Sequence, residues 1–312
     1  MGSVLSKGTL FPPELTNEMF NLVRGKSSLA RLSGQRPIPF NGETAWTFNL
    51  DNEVDIVAEN GAKSNGGATL GQKTITPIKV EYGVRVSDEF MYASDEIRLQ
   101  YLRAFGEGFA NKVARGIDIM AMHGVNPRTG QAATATIGTN HFDSQVGQTV
   151  TGTADNATDI ESAVGLVQGA EHEVTGIAAA LTVKSNLAGL KKASGSNEPL
   201  FPELAWGGSP DAINGVPVDF NSTVSFGTTP VDLAIVGNFR DFFRWGFARQ
   251  IPIKVIEYGN PDNDAVAGDL QGHNQVYLRG EAYIGWGILV PNAFARIIPA
   301  TSAGSGDETT GG

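Results

Sequence analysis

The sequence predicts a mixed α+β fold, and three observations predict it. A helical pattern with one apolar face runs through residues 94–124. Two stretches with period-two alternation precede it, separated by a soft polar span. Helical and strand patterns alternate in the region that follows. At 312 residues and 32.9 kDa the chain has material for about two domains. It is 41% hydrophobic, which excludes a chain too polar to fold, and only 18% charged, a low value that suits a surface largely covered by other subunits.

The elements follow in order. Pro12-Pro13-Glu14 opens a short helix with Leu15, Met19, Leu22 and Val23 as a narrow apolar stripe, ended by Gly25. A helix so short is unstable alone and has to dock. Residues 36–86 read as one long β hairpin. Residues 45–50 alternate, residues 75–86 alternate again around a break at Pro77, and the Gly/Asn/Ser-rich span 60–67 forms a flexible tip. Each arm would reach about 40–50 Å at ~3.3 Å per residue. An isolated hairpin is marginal in water, so this one is expected to lie on its own body or on a neighbour's. There Asp51, Glu53, Asp55 and Glu59 would oppose basic groups.

Ser87-Asp88-Glu89 caps the long helix, with a kink expected at Ser94-Asp95. Leu102, Phe105, Phe109, Val113, Ile117 and Met120 fall on one face, and Gln100, Arg103, Glu107, Asn111 and Asp118 on the other. Gly106, Gly108 and Gly116 weaken it and are expected to permit close packing or bending. Beyond a Gly/Thr/Asn-rich connector at 126–155, the pattern predicts a helix at 158–173 and a buried strand at 177–183. A short helix capped at Ser185-Asn186 and ending at Lys191-Lys192 follows, then an edge strand entered through 213–218. A buried strand at 231–236 precedes the aromatic, ambiguous stretch 239–245. Strand patterns at 251–258 and 274–298 flank an acidic loop at 259–272. The tail, 301–312, has nothing apolar but Ala303 and is expected to be disordered.

The search for catalytic and cofactor motifs is mostly negative. Gly25-Lys26-Ser27 resembles the end of a phosphate loop, but position 20, where the loop needs Gly, is Phe20. No two of His123, His141, His172 and His273 stand one helical turn apart, there is no Cys, and no nucleophile elbow occurs. No catalytic, cofactor-binding or metal residue is therefore assigned, and no cofactor is expected. The net charge of −10 argues against tight nucleic-acid binding. The first 36 residues run the other way, with Lys7, Arg24, Lys26, Arg31 and Arg36 against Glu14 and Glu18. That arm would either dock on the acidic surface of a neighbouring subunit or meet nucleic-acid phosphates. Docking is favoured because Leu15, Met19, Leu22 and Val23 want an apolar partner. No run approaches the ~18 apolar residues of a membrane span, and no signal peptide opens the chain.

Taken in order, these elements resemble the major capsid protein of tailed phages of the Hong Kong 97-type fold family. The resemblance rests on Leu10-Phe11-Pro12-Pro13-Glu14 with Lys26-Ser27-Ser28-Leu29, and on Ile75-Thr76-Pro77-Ile78-Lys79 leading into Val84-Arg85-Val86-Ser87-Asp88-Glu89. Asn214-Gly215-Val216-Pro217-Val218, Val276-Tyr277-Leu278-Arg279-Gly280-Glu281 and Val290-Pro291-Asn292-Ala293-Phe294 complete it. It implies an N-terminal arm at 1–35, an extended loop at 36–86 and a peripheral domain with a spine helix at 87–150. An axial domain at 151–258, a return at 259–300 and the tail would follow. It also implies a shell of pentamers and hexamers enclosing double-stranded DNA, assembled in the host cytoplasm with portal and other virion proteins. Met1 standing so close to the arm favours a separate scaffolding protein. Where family members cross-link, Lys63 or Lys73 would supply the Lys and Asn260 or Asn263 the Asn. An encapsulin-type cellular compartment is the nearest alternative, and an enzyme with a spatially assembled site the alternative of a different class.

Overall fold

The computed structural model describes residues 26–193, 195–227, 231–249 and 253–300. The expected arm helix with Leu15, Met19, Leu22 and Val23, and the tail, lie outside the described residues. In chain order the elements are α1 (Ser28–Leu32), β1 (Glu43–Leu50), β2 (Ala68–Ile75), β3 (Ile78–Ser87), α2 (Glu89–Tyr92), α3 (Asp95–His123) and α4 (Phe142–Gln145). Then come β4 (Thr149–Thr151), α5 (Asn156–Gly169), β5 (Gly176–Ala179), α6 (Leu181–Gly189), a 3-10 segment (Pro202–Gly207), β6 (Ala212–Ile213) and β7 (Val216–Phe220). The chain ends with β8 (Ala234–Gly237), the turn α7 (Phe239–Phe242), β9 (Phe243–Arg249), β10 (Ile253–Ile256), β11 (Gln275–Ile288) and β12 (Phe294–Ile298).

The chain divides into two units. The described residues of the first are 26–141, 240–249 and 253–289. Its centre is β11, which pairs antiparallel with β3 along ten residues, with β10, and with β9 across a bulge at Tyr283/Ile284. Two expectations are corrected here. Ile78–Ser87 is not an arm of the hairpin, because its ladder partner is β11. Phe243–Arg249 and Ile253–Ile256, expected in the later domain, belong to this same sheet. Sequence periodicity identifies a strand but not its partner.

Ser87-Asp88-Glu89 opens only the four-residue α2, where Asp88 makes no side-chain cap bond, and the long helix α3 starts at the expected break at Ser94-Asp95. The Ser94 side chain accepts from the amide of Ile97, Asp95 and Glu96 sit in the first turn, and Gly124 closes the helix in the left-handed region at φ 65°. Phe109 is buried over β11, where Gly280 leaves it room: a Cβ there would stand 2.9 Å from the ring. Asp118 departs from its assigned solvent face. It is fully buried, and its carboxylate accepts from Ser27 Oγ, from the amide of Ser28 (2.9 Å) and from that of Leu29 (3.2 Å). A carboxylate at the first turn of α1 satisfies donors that the helix itself cannot.

Two of the three glycines do not fit the close-packing half of their expected role. A Cβ at Gly108 would meet nothing within 4 Å, and one at Gly116 would make ordinary contacts at 3.7 and 3.8 Å. Close packing within the subunit explains neither. Gly108→Ala is expected to raise subunit stability by up to about 1 kcal/mol in denaturant titration, since Ala has the higher helix propensity. A loss of stability would show that the helix bends there.

The described residues of the second unit are 142–193, 195–227, 231–239 and 290–300. Its six-stranded sheet has the order β4-β12-β8-β5-β7-β6. β5 and β8, Gly176-Ile177-Ala178-Ala179 and Ala234-Ile235-Val236-Gly237, are buried at every position, as befits small and branched residues covered on both faces. The expected strand 177–183 stops at Ala179, and Leu181-Thr182-Val183 opens α6 instead. An apolar run this short does not distinguish a strand from a buried helical turn. Phe142, Phe239 and Phe294 form the aromatic core, with ring centroids 5.1–6.1 Å apart.

Beside that core one guanidinium faces two carboxylates. Arg296 donates to Asp232 through Nε (2.9 Å), lies 2.8 Å from both Asp232 and Asp143 through Nη2, and donates from Nη1 to the Asp143 carbonyl (3.0 Å). Burial, and then the Asp143 charge, push the Asp232 carboxyl up to about 8 against the pull of Arg296. The unfolded group titrates near ~4. Between those values the folded chain holds a proton that the unfolded chain releases, so stability falls as pH rises through that window. Asp232→Asn is expected to flatten the slope of denaturation midpoint against pH there. An unchanged slope would place the titration on another group.

Candidate assembly surface

The hairpin is an exposed feature of the first unit. β1 and β2 pair antiparallel from Glu43↔Ile75 to Leu50↔Ala68. Each strand has eight residues, so the paired part spans ~26 Å at ~3.3 Å per residue, shorter than the expected reach. Its base is fixed by Ala45 and Ile75, both buried, with Ile75 filling space left by Gly285 and Gly287. Outward from the base the burial stops. Period two puts Trp46, Phe48 and Leu50 on one face, and Leu70 stands opposite Phe48. These four side chains are 60–72% exposed, and Val54 and Ile56 beyond the strand are almost completely so. A contiguous apolar face in solvent marks an interaction surface.

Asp51, Glu53, Asp55 and Glu59 are exposed around that face. Asp51 also accepts from Thr69 Oγ1 at 2.8 Å, which ties the two arms together at the tip. Lys63 is exposed, whereas Lys73 is half-buried and burial lowers its pKa. The hairpin thus brings together the acids and both lysines singled out from sequence. The apolar stripe among them was not singled out, although the alternation at 45–50 contains it.

The acidic loop is held by Arg85 of β3. Its guanidinium donates to both oxygens of Asp262 (Nε 2.8 Å, Nη2 2.5 Å), to Asn260 Oδ1, to the carbonyls of Ala267 and Gly268, and to Gln275 Oε1. The hydrogen bond from Arg85 holds the Asp262 carboxyl down at about 2. Asn260 accepts from Arg85 and from the Asp264 amide, and its Nδ2 donates to the Asp264 carbonyl. Its amide is committed to folding the loop, which argues against it as the cross-linking Asn; Asn263 is exposed with φ 54°. Asp262 and its neighbours carry no motif, and Arg85 lies 177 residues away in the chain, so spacing could not reveal this anchor.

Among the described residues no helix is long and apolar enough to cross a membrane. The family model described as the phage capsid family matches residues 7–297, nearly the whole chain. The chain belongs to that family. This capsid protein is also similar to a solved structure from Mycobacterium phage Ogopogo, at 30% identity over 88% of this chain and 92% of that one, with a TM-score of 0.75. A structure from Gordonia phage Cozz matches at 25% identity over 88% and 87%, with a TM-score of 0.71. The capsid of an empty GTA particle computed with C5 symmetry shares the fold, at 14% identity over 88% and 90% and a TM-score of 0.61. Comparison with curated proteins gives no match. The α+β fold is therefore the tailed-phage capsid fold, and the protein is a structural component of a virion shell built from self-associating subunits.

Proposed function

We propose that this major capsid protein assembles as pentamers and hexamers into an icosahedral shell around double-stranded DNA, with the hairpin of one subunit lying across the next. The observation that carries this reading is the hairpin: anchored at its base by Ile75, apolar along one outer face, and without a surface of its own to cover it. A partner hides Trp46, Phe48, Leu50 and Leu70, and burial of apolar area drives the association. On this reading residues 36–77 form the extended loop and α3 the spine of the peripheral domain. The second unit is the axial domain, and Lys63 with Asn263 is the pair available for cross-linking. Scaffolding, portal and host-cytoplasm assembly belong to the same reading. Negative-stain microscopy and sedimentation of the purified protein test it. Closed shells or capsomers are expected; a species of 32.9 kDa that persists at high concentration would overturn it.

A further inference from the structure

The second unit carries a groove of about 560 Å³ between α6 and the 3-10 segment, lined by Leu181, Lys184, Lys191, Leu204 and Trp206. Trp206 is entirely exposed, and its backbone sits in the left-handed region at φ 57°, ψ 27°. A bulky residue there is strained, and an indole left in water gains nothing from burial within its own subunit. Lys184 fixes the arrangement, donating to the Gly207 carbonyl (3.2 Å) and to Ser209 Oγ (2.6 Å), which ties the strained segment to α6.

Charge says what the groove receives. The Lys and Arg residues described in this unit are Lys184, Lys191, Lys192 and Arg296, and Arg296 is buried with Asp143 and Asp232. Of these, Lys191 is exposed and Lys184 partly exposed in the groove beside Trp206, while Lys192 on the same turn is paired with Glu198 and Glu203 stands exposed in the 3-10 segment. The sheet order places β6 and β7 at one edge and β4 and β12 at the other, where α5 packs. α5 and its flanking turns carry exposed Asp155, Glu161, Glu171 and Glu173, together with exposed Leu166. The unit thus has an aromatic groove lined by Lys184 and Lys191 and, on α5, which packs against α6 with Asn186 donating to Asn156 (2.9 Å), an acidic surface with an apolar side chain in it. Two different patches that complement one another make a head-to-tail contact, the kind that closes rings.

We infer that the Trp206 groove seats the acidic α5 surface of the same unit in a neighbouring copy of this chain. Trp206 is the anchor, and Lys184 and Lys191 oppose the carboxylates. The inference rests on the shell-forming reading above.

Trp206→Gly tests it, because Gly adopts the left-handed backbone without strain. The melting midpoint of the unassembled subunit should hold or rise, while the concentration needed for half-maximal shell formation rises at least about tenfold. Lys191→Glu, an exposed charge reversal, should weaken assembly likewise, and a second change in the same chain, Glu161→Lys or Glu173→Lys, should restore it. Wild-type protein run alongside separates the two readings. If the wild type forms no shells, the shell-forming reading falls and this inference with it. If the wild type and both variants assemble at the same concentration, the groove inference alone falls. A lowered melting midpoint for Trp206→Gly would mean that the indole packs within its own subunit and would overturn its role as anchor. Weakening by Lys191→Glu that neither acidic reversal restores would overturn the pairing with α5.

Discussion

Phe109→Ala should destabilise the first unit by about 3–5 kcal/mol, a large part of the ~5–15 kcal/mol by which a typical domain is folded. The ring is buried, parallel to Phe105 at 6.4 Å between centroids, and rests on β11 at Gly280, where the strand has no side chain. That strand also pairs with β3, β9 and β10, so the cavity would open beside the element on which the sheet depends. The reciprocal change is informative. Gly280→Ala puts a methyl group 2.9 Å from the wild-type ring, so it should destabilise alone. In the Phe109→Ala background the same methyl enters the vacated space and its cost should vanish. Denaturant titrations of the four proteins would give a coupling energy of at least about 1 kcal/mol. Additive losses, or a Phe109→Ala cost below about 1 kcal/mol, would show that helix and sheet are not locked together at this point.

Periodicity made the long helix legible almost to the residue, because an apolar face repeating over many turns has no competing reading and both caps use residues suited to caps. The same periodicity misled at Asp118. The C-terminal half of α3 is buried nearly all round, so the solvent face ends before that residue. The run Ile117-Asp118-Ile119-Met120-Ala121-Met122 was the available signal, since a helix apolar on every side is a buried one. The hairpin was legible as two alternating arms, but which strand closes it was not. Pro77 marks the point where the chain leaves β2 for the body sheet, and a break in sequence does not say what lies beyond it. The contacts between distant segments, Arg85 with the acidic loop and Arg296 with two aspartates, were illegible in principle. Each partner is an ordinary charged residue, and only the folded chain brings them within hydrogen-bond reach.

Replacing Trp46, Phe48 and Leu70 together by Ser should abolish shells while leaving the subunit folded. The subunit survives because those side chains are already mostly in water, so their loss removes little internal packing. Assembly fails because each would bury against a neighbour, at roughly 1.5–3 kcal/mol for a large apolar side chain fully removed from water. Part of that gain offsets the freedom lost on association, so losing it across every copy in a shell leaves no surplus. The surrounding acids make a weaker claim. Exposed ion pairs contribute about 0–1 kcal/mol each and are screened by salt. Asp51→Asn, Glu53→Gln, Asp55→Asn and Glu59→Gln combined should therefore slow or weaken assembly at low salt and matter less at high salt. The sequence pattern points first to these acids, while the side-chain exposures put the larger energy on the apolar face between them. Light scattering during assembly, with circular dichroism of each subunit as the folding control, separates the two. If the serine variant assembles normally and the amide variant does not, charge and not apolar burial drives the hairpin contact.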